Sequence, residues 1–171
     1  MPRTRKLPSA DYFRQFVKYD PLTGEFIWIA ASARKRKTGC KTGFKDRKAG
    51  YILVRIEDVS YRAHRLAWLL EKGEDPGHFE VDHINGDKAD NRIENLRLST
   101  RGQNRANSVH NKSSKSGLKG VYWCKKQKKW RAQITVNKKV MKLGAFADPF
   151  EAHMAYREAA VKYHGEFANF G

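Results

Sequence analysis

Cysteine is scarce in this chain: Cys40 and Cys124 stand far apart and no C-x-x-C pair occurs. That argues against a cysteine-ligated zinc site and against a disulfide framework, and it suits a reducing, intracellular compartment. No apolar run approaches the length of a membrane span, and the opening "MPRTRKLPSADYF" has no apolar core of a signal peptide. In that setting the sequon at Asn111 carries no meaning. Acidic residues are outnumbered, with 18 Asp and Glu against 35 Lys and Arg and a formal net charge of +17. Such a field attracts polyanions, DNA or RNA first among them, while a basic ribosomal or structural protein is the plain alternative.

What is present is globular. The 171 residues are 40% apolar and 12% aromatic with four Trp, enough for one ordinary domain or two small ones. Charge is unevenly spread: residues 1–48 hold 13 Lys/Arg against 4 Asp/Glu, residues 49–116 hold 11 against 10, and residues 117–171 hold 11 against 4. Two basic flanks enclose a nearly neutral middle, a distribution suited to metal-dependent chemistry on nucleic acid.

Patterning divides the chain further. "LPSADYFRQFVKYD" reads as a short helix capped by Ser9, with Tyr12, Phe13 and Phe16 on one side. "DPLTGEFIWI" gives a turn and a strand, "ASARKRKTGCKTGFKDRKAG" a basic loop, and Tyr51 to Ile56 a strand. An amphipathic helix follows through Leu66, Leu69 and Leu70 and ends at Gly73. "VDHI" is a strand end, "NGDKADN" a loop whose Asp87, Asp90 and Asn91 are turn chemistry, and "RIENLRL" the returning strand. "STRGQNRAN" starts a helix through a Thr100/Gln103 capping box. "SVHNKSSKSG" is a linker. Beyond it, "WRAQITV" alternates apolar Trp130, Ala132, Ile134 and Val136 with Arg131, Gln133 and Thr135, a strand with one packed and one polar face. A helix opens at Asp148 with Glu151 completing a capping box, packs Ala152, Ala155, Tyr156, Ala159 and Tyr163, and stops at Gly165.

The order Asp82-His83, then Asn95 within "ENLR", then Asn104 within "QNRAN", resembles the HNH nuclease family with its ββα-metal fold, most of all the phage and intron homing endonucleases. The likeness runs from about residue 50 to 107 and includes "YRAHRLAW". It implies catalytic roles for His83 as general base and for Asn95 in tying down the loop, with Asp82 and Asn104 as ligands of one Mg2+ or Mn2+ ion. The chemistry is sensible: an imidazole titrating near neutrality can take a proton from water, and hard oxygen donors suit these cations. Successive strand residues point to opposite faces, so Asp82 and His83 converge on one phosphate only if the strand breaks or twists there. His64, Arg65 and Arg105 are further candidates for phosphate contact.

Residues 117–169 resemble the DNA-binding domain of plant ethylene-response (Apetala-type) transcription factors, through "GVYW", "WRAQI", "LGAF" and "EAHMAYREAA". That resemblance implies a sheet face in the DNA major groove, carrying Lys119, Tyr122, Arg131, Gln133, Thr135 and Lys142; the cluster "KKQKK" from Lys125 to Lys129 reads separately as a phosphate contact or a solvated turn. Arg and Gln read guanine and adenine edges by paired hydrogen bonds. Tyr122, Cys124 and Thr135 stand where the plant pattern often has Arg, so the plant target sequence does not carry over.

The expectation is an α+β protein. An HNH nuclease domain spans 1–107, with a basic extension at 1–48 and a ββα core at about 79–107. A linker spans 108–116, and a three-stranded antiparallel sheet packed on one helix spans 117–171. The expected function is metal-dependent, site-specific cleavage of double-stranded DNA, as in homing endonucleases. The alternatives are a DNA-binding regulator with an inactive core and an RNA-binding or ribosome-associated protein. A monomer in the cytoplasm of the host of a phage or mobile element is expected, dimerisation being the route to double-strand breaks.

Overall fold

The computed structural model describes residues 6–30, 37–108 and 116–171. Residues 1–5, 31–36 and 109–115 lie outside the described residues, and with them most of the segment expected to be a linker. The chain is mixed α and β, and it divides into two compact units, Met1–Ser99 and Thr100–Gly171.

The first unit opens with α1 (Ala10–Arg14), where the Ser9 hydroxyl accepts the Tyr12 N–H as the sequence predicts. The helix stops sooner than expected. Val17 and Tyr19 are buried while Lys18 is exposed, and this period of two makes β1 (Val17–Asp20). β1 pairs antiparallel with β2 (Glu25–Trp28), which pairs with β3 (Lys41–Thr42). A second sheet joins β4 (Phe44–Lys45), β5 (Ile52–Ile56) and β6 (Val59–Arg62). Glu57 and Asp58 both take positive φ, the tight-turn geometry that folds β6 back on β5. The short strands β3, β4 and β6 were not anticipated.

α2 (Ala63–Lys72) ends at Gly73 in the left-handed conformation, and its Leu66, Leu69 and Leu70 enter the core with Phe13, Phe26, Val54 and Ile56. β7 (Glu80–His83) and β8 (Leu96–Ser99) form the central hairpin. The returning strand is shorter than read from sequence, because Ile93–Asn95 forms a 3-10 turn first.

The second unit begins with α3 (Arg101–Asn107), whose capping box between Thr100 and Gln103 is formed in both directions. Its sheet orders as β11-β10-β9, from β9 (Val121–Cys124), β10 (Lys129–Val136) and β11 (Lys139–Phe146). α4 (Pro149–His164) packs against it, with Asp148 accepting the N–H groups of Phe150 and Glu151. Val121, Ala132 and Ile134 meet Ala152, Tyr156, Ala159 and Ala160. Tyr163, expected on the packed face, is 39% exposed, and Ala160 lies there instead. Small side chains let helix and sheet approach closely.

One glycine fixes how the first hairpin meets the central one. Gly24 has φ +74°, and a Cβ there would lie 2.5 Å from the Arg92 backbone nitrogen. Gly24→Ala is expected to destabilise the chain by more than about 1 kcal/mol, through both strain and collision, measured by chemical denaturation.

Candidate active site

The hairpin register sets Asp82 opposite Arg97 and His83 opposite Leu96. Asp82 Oδ2 accepts from Arg97 Nε and Nη2, each at 3.1 Å, in a pair that is largely withdrawn from solvent. His83, one residue on, turns to the other side. It is 4% exposed, its Nε2 lies 3.4 Å from Asn91 Oδ1, and its ring lies edge-on to His64 at 5.0 Å. Tyr51 adjoins both imidazoles, with ring centroids 5.0 Å from His64 and 6.1 Å from His83.

The loop between the strands is built on side-chain amides. Asn95 Oδ1 accepts the Asn85 N–H at 3.0 Å while its Nδ2 donates to the Asp90 carbonyl at 2.9 Å. The Ile84 N–H donates to the Asn95 carbonyl at 2.9 Å. Asp90 receives Arg92 through Nε and Nη2 and the Asn85 amide, and its pKa is lowered to about 2, mainly by the Arg92 hydrogen bond. Tyr19 Oη donates to the Asn91 carbonyl at 2.7 Å, so the N-terminal hairpin braces the loop.

Asn91 then defines the histidine tautomer. Its Nδ2 donates to the Ala89 carbonyl at 3.0 Å, which turns Oδ1 toward His83. An acceptor at that position favours a proton on Nε2. Burial lowers the His83 pKa from 6.5, against the opposing pull of Asn91, Asp82, Asp87 and Asp90. The ring is neutral at pH 7 and able to accept a proton.

Other sequence candidates take different places. His64 is 3% exposed, and its Nδ1 has no hydrogen-bond partner among the described residues. Arg65 is 8% exposed, donating from Nη2 to Asp75 at 2.8 Å and from Nη1 to the Phe79 carbonyl. Both turn inward on α2, so neither offers itself to a phosphate as expected; burial on the packed face of the helix is the reason. Arg105 is exposed and Asn104 half-buried on α3, in the second unit. Lys119 departs from the expected DNA-facing role too. Its ammonium donates to the Ala106 and Ser108 carbonyls at the end of α3, and burial lowers its pKa to about 8.

On the sheet, Tyr122, Lys125, Thr135 and Lys142 are exposed, Gln133 is half-buried, and Arg131 Nε donates to Gln127 at 2.9 Å. A cleft of about 820 Å³ within the second unit is lined by Arg101, Arg105, Lys138, Gln133 and Thr135 among others, with no carboxylate. Sequence reasoning took Asn91 for turn chemistry and passed over Arg97 altogether; only the register shows them.

Among the described residues no group of three His, Cys, Asp or Glu converges on a metal position. The donor chemistry nevertheless fits Mg2+. That ion keeps several waters and binds through one or two protein oxygens plus substrate phosphate, rather than in a closed protein cage. Asp82, in the first unit, supplies a carboxylate oxygen of the right hardness.

A buried Asp-His pair closes the first strand of the central hairpin, and α3 follows that hairpin in sequence. The family model for HNH endonucleases matches residues 61–106 and the model for the AP2 domain matches 116–166. Protein 3.8 of Escherichia phage T7 is 32% identical over 109 residues, which is 64% of this chain and 89% of that protein. The chain belongs to the HNH endonuclease family and carries an AP2 domain behind its nuclease domain. Among the described residues no helix is long and apolar enough to cross a membrane.

Burial holds the His64 pKa well below 6.5, with the neighbouring His83 adding to the effect. The unfolded chain therefore gains protons below its ordinary titration range that the native state refuses, so stability is full above about pH 6.5 and falls as pH drops. His83 and His164, also lowered, act in the same sense. Thermal melts at about pH 7.5 and about pH 5.5 should show a loss of stability that His64→Phe reduces but does not abolish.

Proposed function

We propose that this protein is a metal-dependent, site-specific DNA endonuclease of the homing type, in which the hairpin site cleaves and the AP2 sheet provides affinity and register. The observation that carries the reading is His83, buried and neutral, held by Asn91 next to Asp82 on the hairpin that the HNH match covers. His83 accepts the proton of the attacking water at Nδ1, while Nε2–H remains on Asn91. Asp82 and Asn104 would hold Mg2+ or Mn2+, which would supply relief of the charge developing on phosphate and leaving oxygen. Asn95 keeps the loop closed and so orients the imidazole. Arg97 neutralises Asp82 until the cation and the DNA arrive. The expected products carry a 5′-phosphate and a 3′-hydroxyl. Tyr122, Arg131, Gln133, Thr135 and Lys142 read the major groove, and Lys125 touches phosphate. A phage relative is consistent with a working place in the cytoplasm of a host cell.

One observation favours a second reading. The Asp82–Arg97 pair occupies a carboxylate that a cation would need, as expected of a DNA-binding regulator whose centre has decayed. Cleavage separates the two. Incubated with a long DNA library and Mg2+, the wild type should yield defined ends, and His83→Ala should lower the rate by at least about 100-fold while DNA binding persists. Undiminished cutting by that variant would refute the assigned base; tight, metal-indifferent binding without products by the wild type would favour the regulator.

A further inference from the structure

Three observations converge beside His83. The first is alternation along the second sheet. Val54, Ile56 and Tyr61 are buried, and the register pairs Val54 with Tyr61 and Leu53 with Arg62. Arg62 therefore leaves the sheet on the face opposite the core, the face to which Leu53 and, two residues earlier, Tyr51 belong. It stands at the N-cap of α2 without making a side-chain cap bond, and it is exposed.

The second observation is the ring of Tyr51. The Arg62 guanidinium carbon lies 4.7 Å from its centroid and the Lys88 ammonium 4.9 Å. Lys88 comes from the hairpin loop, far along the chain, and donates to the Ala49 carbonyl at 3.1 Å. Two like charges gathered on one small ring repel each other, a cost the ring's electron-rich face offsets only in part.

The third is the absence of a balancing anion. Among the described residues neither Arg62 nor Lys88 lies within ion-pair distance of a carboxylate. The nearby Asp90 is engaged by Arg92. This contrasts with Arg65 and Arg97, each matched to an aspartate. The same Tyr51 ring adjoins His64 and His83, so one ring contacts both cations and both imidazoles.

We propose that Arg62 and Lys88, carried on the ring of Tyr51 beside His83, form a seat for one or two backbone phosphates of the DNA strand at the cleavage centre. The inference deepens the nuclease reading and rests on it for the identity of the strand. Tyr51 acts as the platform: it fixes the height of both cations and ties them to the two imidazoles. The guanidinium grips phosphate oxygens in a planar fork and the ammonium meets them as a point charge.

The test is binding of a random-sequence duplex in EDTA, over a range of salt, so that no cleavage and no metal enter the measurement. Each cation that neutralises a phosphate contributes about 0.9 to the slope of log affinity against log salt. Arg62→Gln and Lys88→Gln should each lower that slope by about 0.9 and the double variant by about twice as much, whereas Arg62→Lys should keep it. Arg14→Gln, which removes a cation paired with Asp11 on α1, should leave the slope unchanged. An unchanged slope in the Arg62 and Lys88 variants would overturn the seat, and so would an equal fall in the Arg14 variant. Cleavage by the wild type with Mg2+ is scored separately: a lowered slope without cleavage keeps the seat and removes the nuclease reading.

Discussion

The architecture of the site depends on the side-chain amide of Asn95. Its oxygen holds the Asn85 N–H at the start of the hairpin loop and its nitrogen holds the Asp90 carbonyl near the end. A loop of this length, linking two four-residue strands, would otherwise sample many conformations at an entropic cost the short ladder could not offset. With both ends tied, Asp90 meets Arg92 and Asn85, Asn91 is delivered to His83, and Lys88 reaches over Tyr51. One buried amide thus ties together the backbone of the turn that carries Asn91.

Polar groups so deep in a small domain are costly unless satisfied, and here nearly all are. Asp82 is matched by Arg97 rather than by solvent, and removing one member of a buried pair typically costs about 3–5 kcal/mol. The pair therefore has two consequences: it permits a carboxylate to sit at 5% exposure, and it sets a competitor for any cation. The middle of the chain is nearly neutral, while the basic excess lies in the two flanks.

The caps, the central hairpin, the helix after it and the alternating AP2 strand were legible because each follows from local chemistry. Ser9, Thr100, Asp148 and Gly73 act where their side chains or backbone freedom place them. What was not legible depends on partners distant in sequence. Val17–Asp20 reads as the end of a helix until β2 pairs with it, and Ile93–Asn95 reads as strand until Asn95 turns inward to staple the loop. His64 and Arg65 sit in a stretch that looks cationic and DNA-facing, yet tertiary packing buries both. Lys119 finds carbonyls at the end of α3, and Arg62 and Lys88 meet only on a shared ring. The motif singled out His83 and Asp82 as candidates; the groups that contact them were not singled out, because asparagines in a turn look alike until the register is known.

The most direct test joins loop order to chemistry in one variant. Hydrogen exchange of the Asn85 amide and DNA cleavage with Mg2+ would be followed together in the wild type and in Asn95→Ala. Protection of that amide and cleavage should be lost together, with the overall fold retained. An Asn95→Ala protein that loses the protection yet cuts DNA at the wild-type rate would contradict the dependence of the site on its stapled loop.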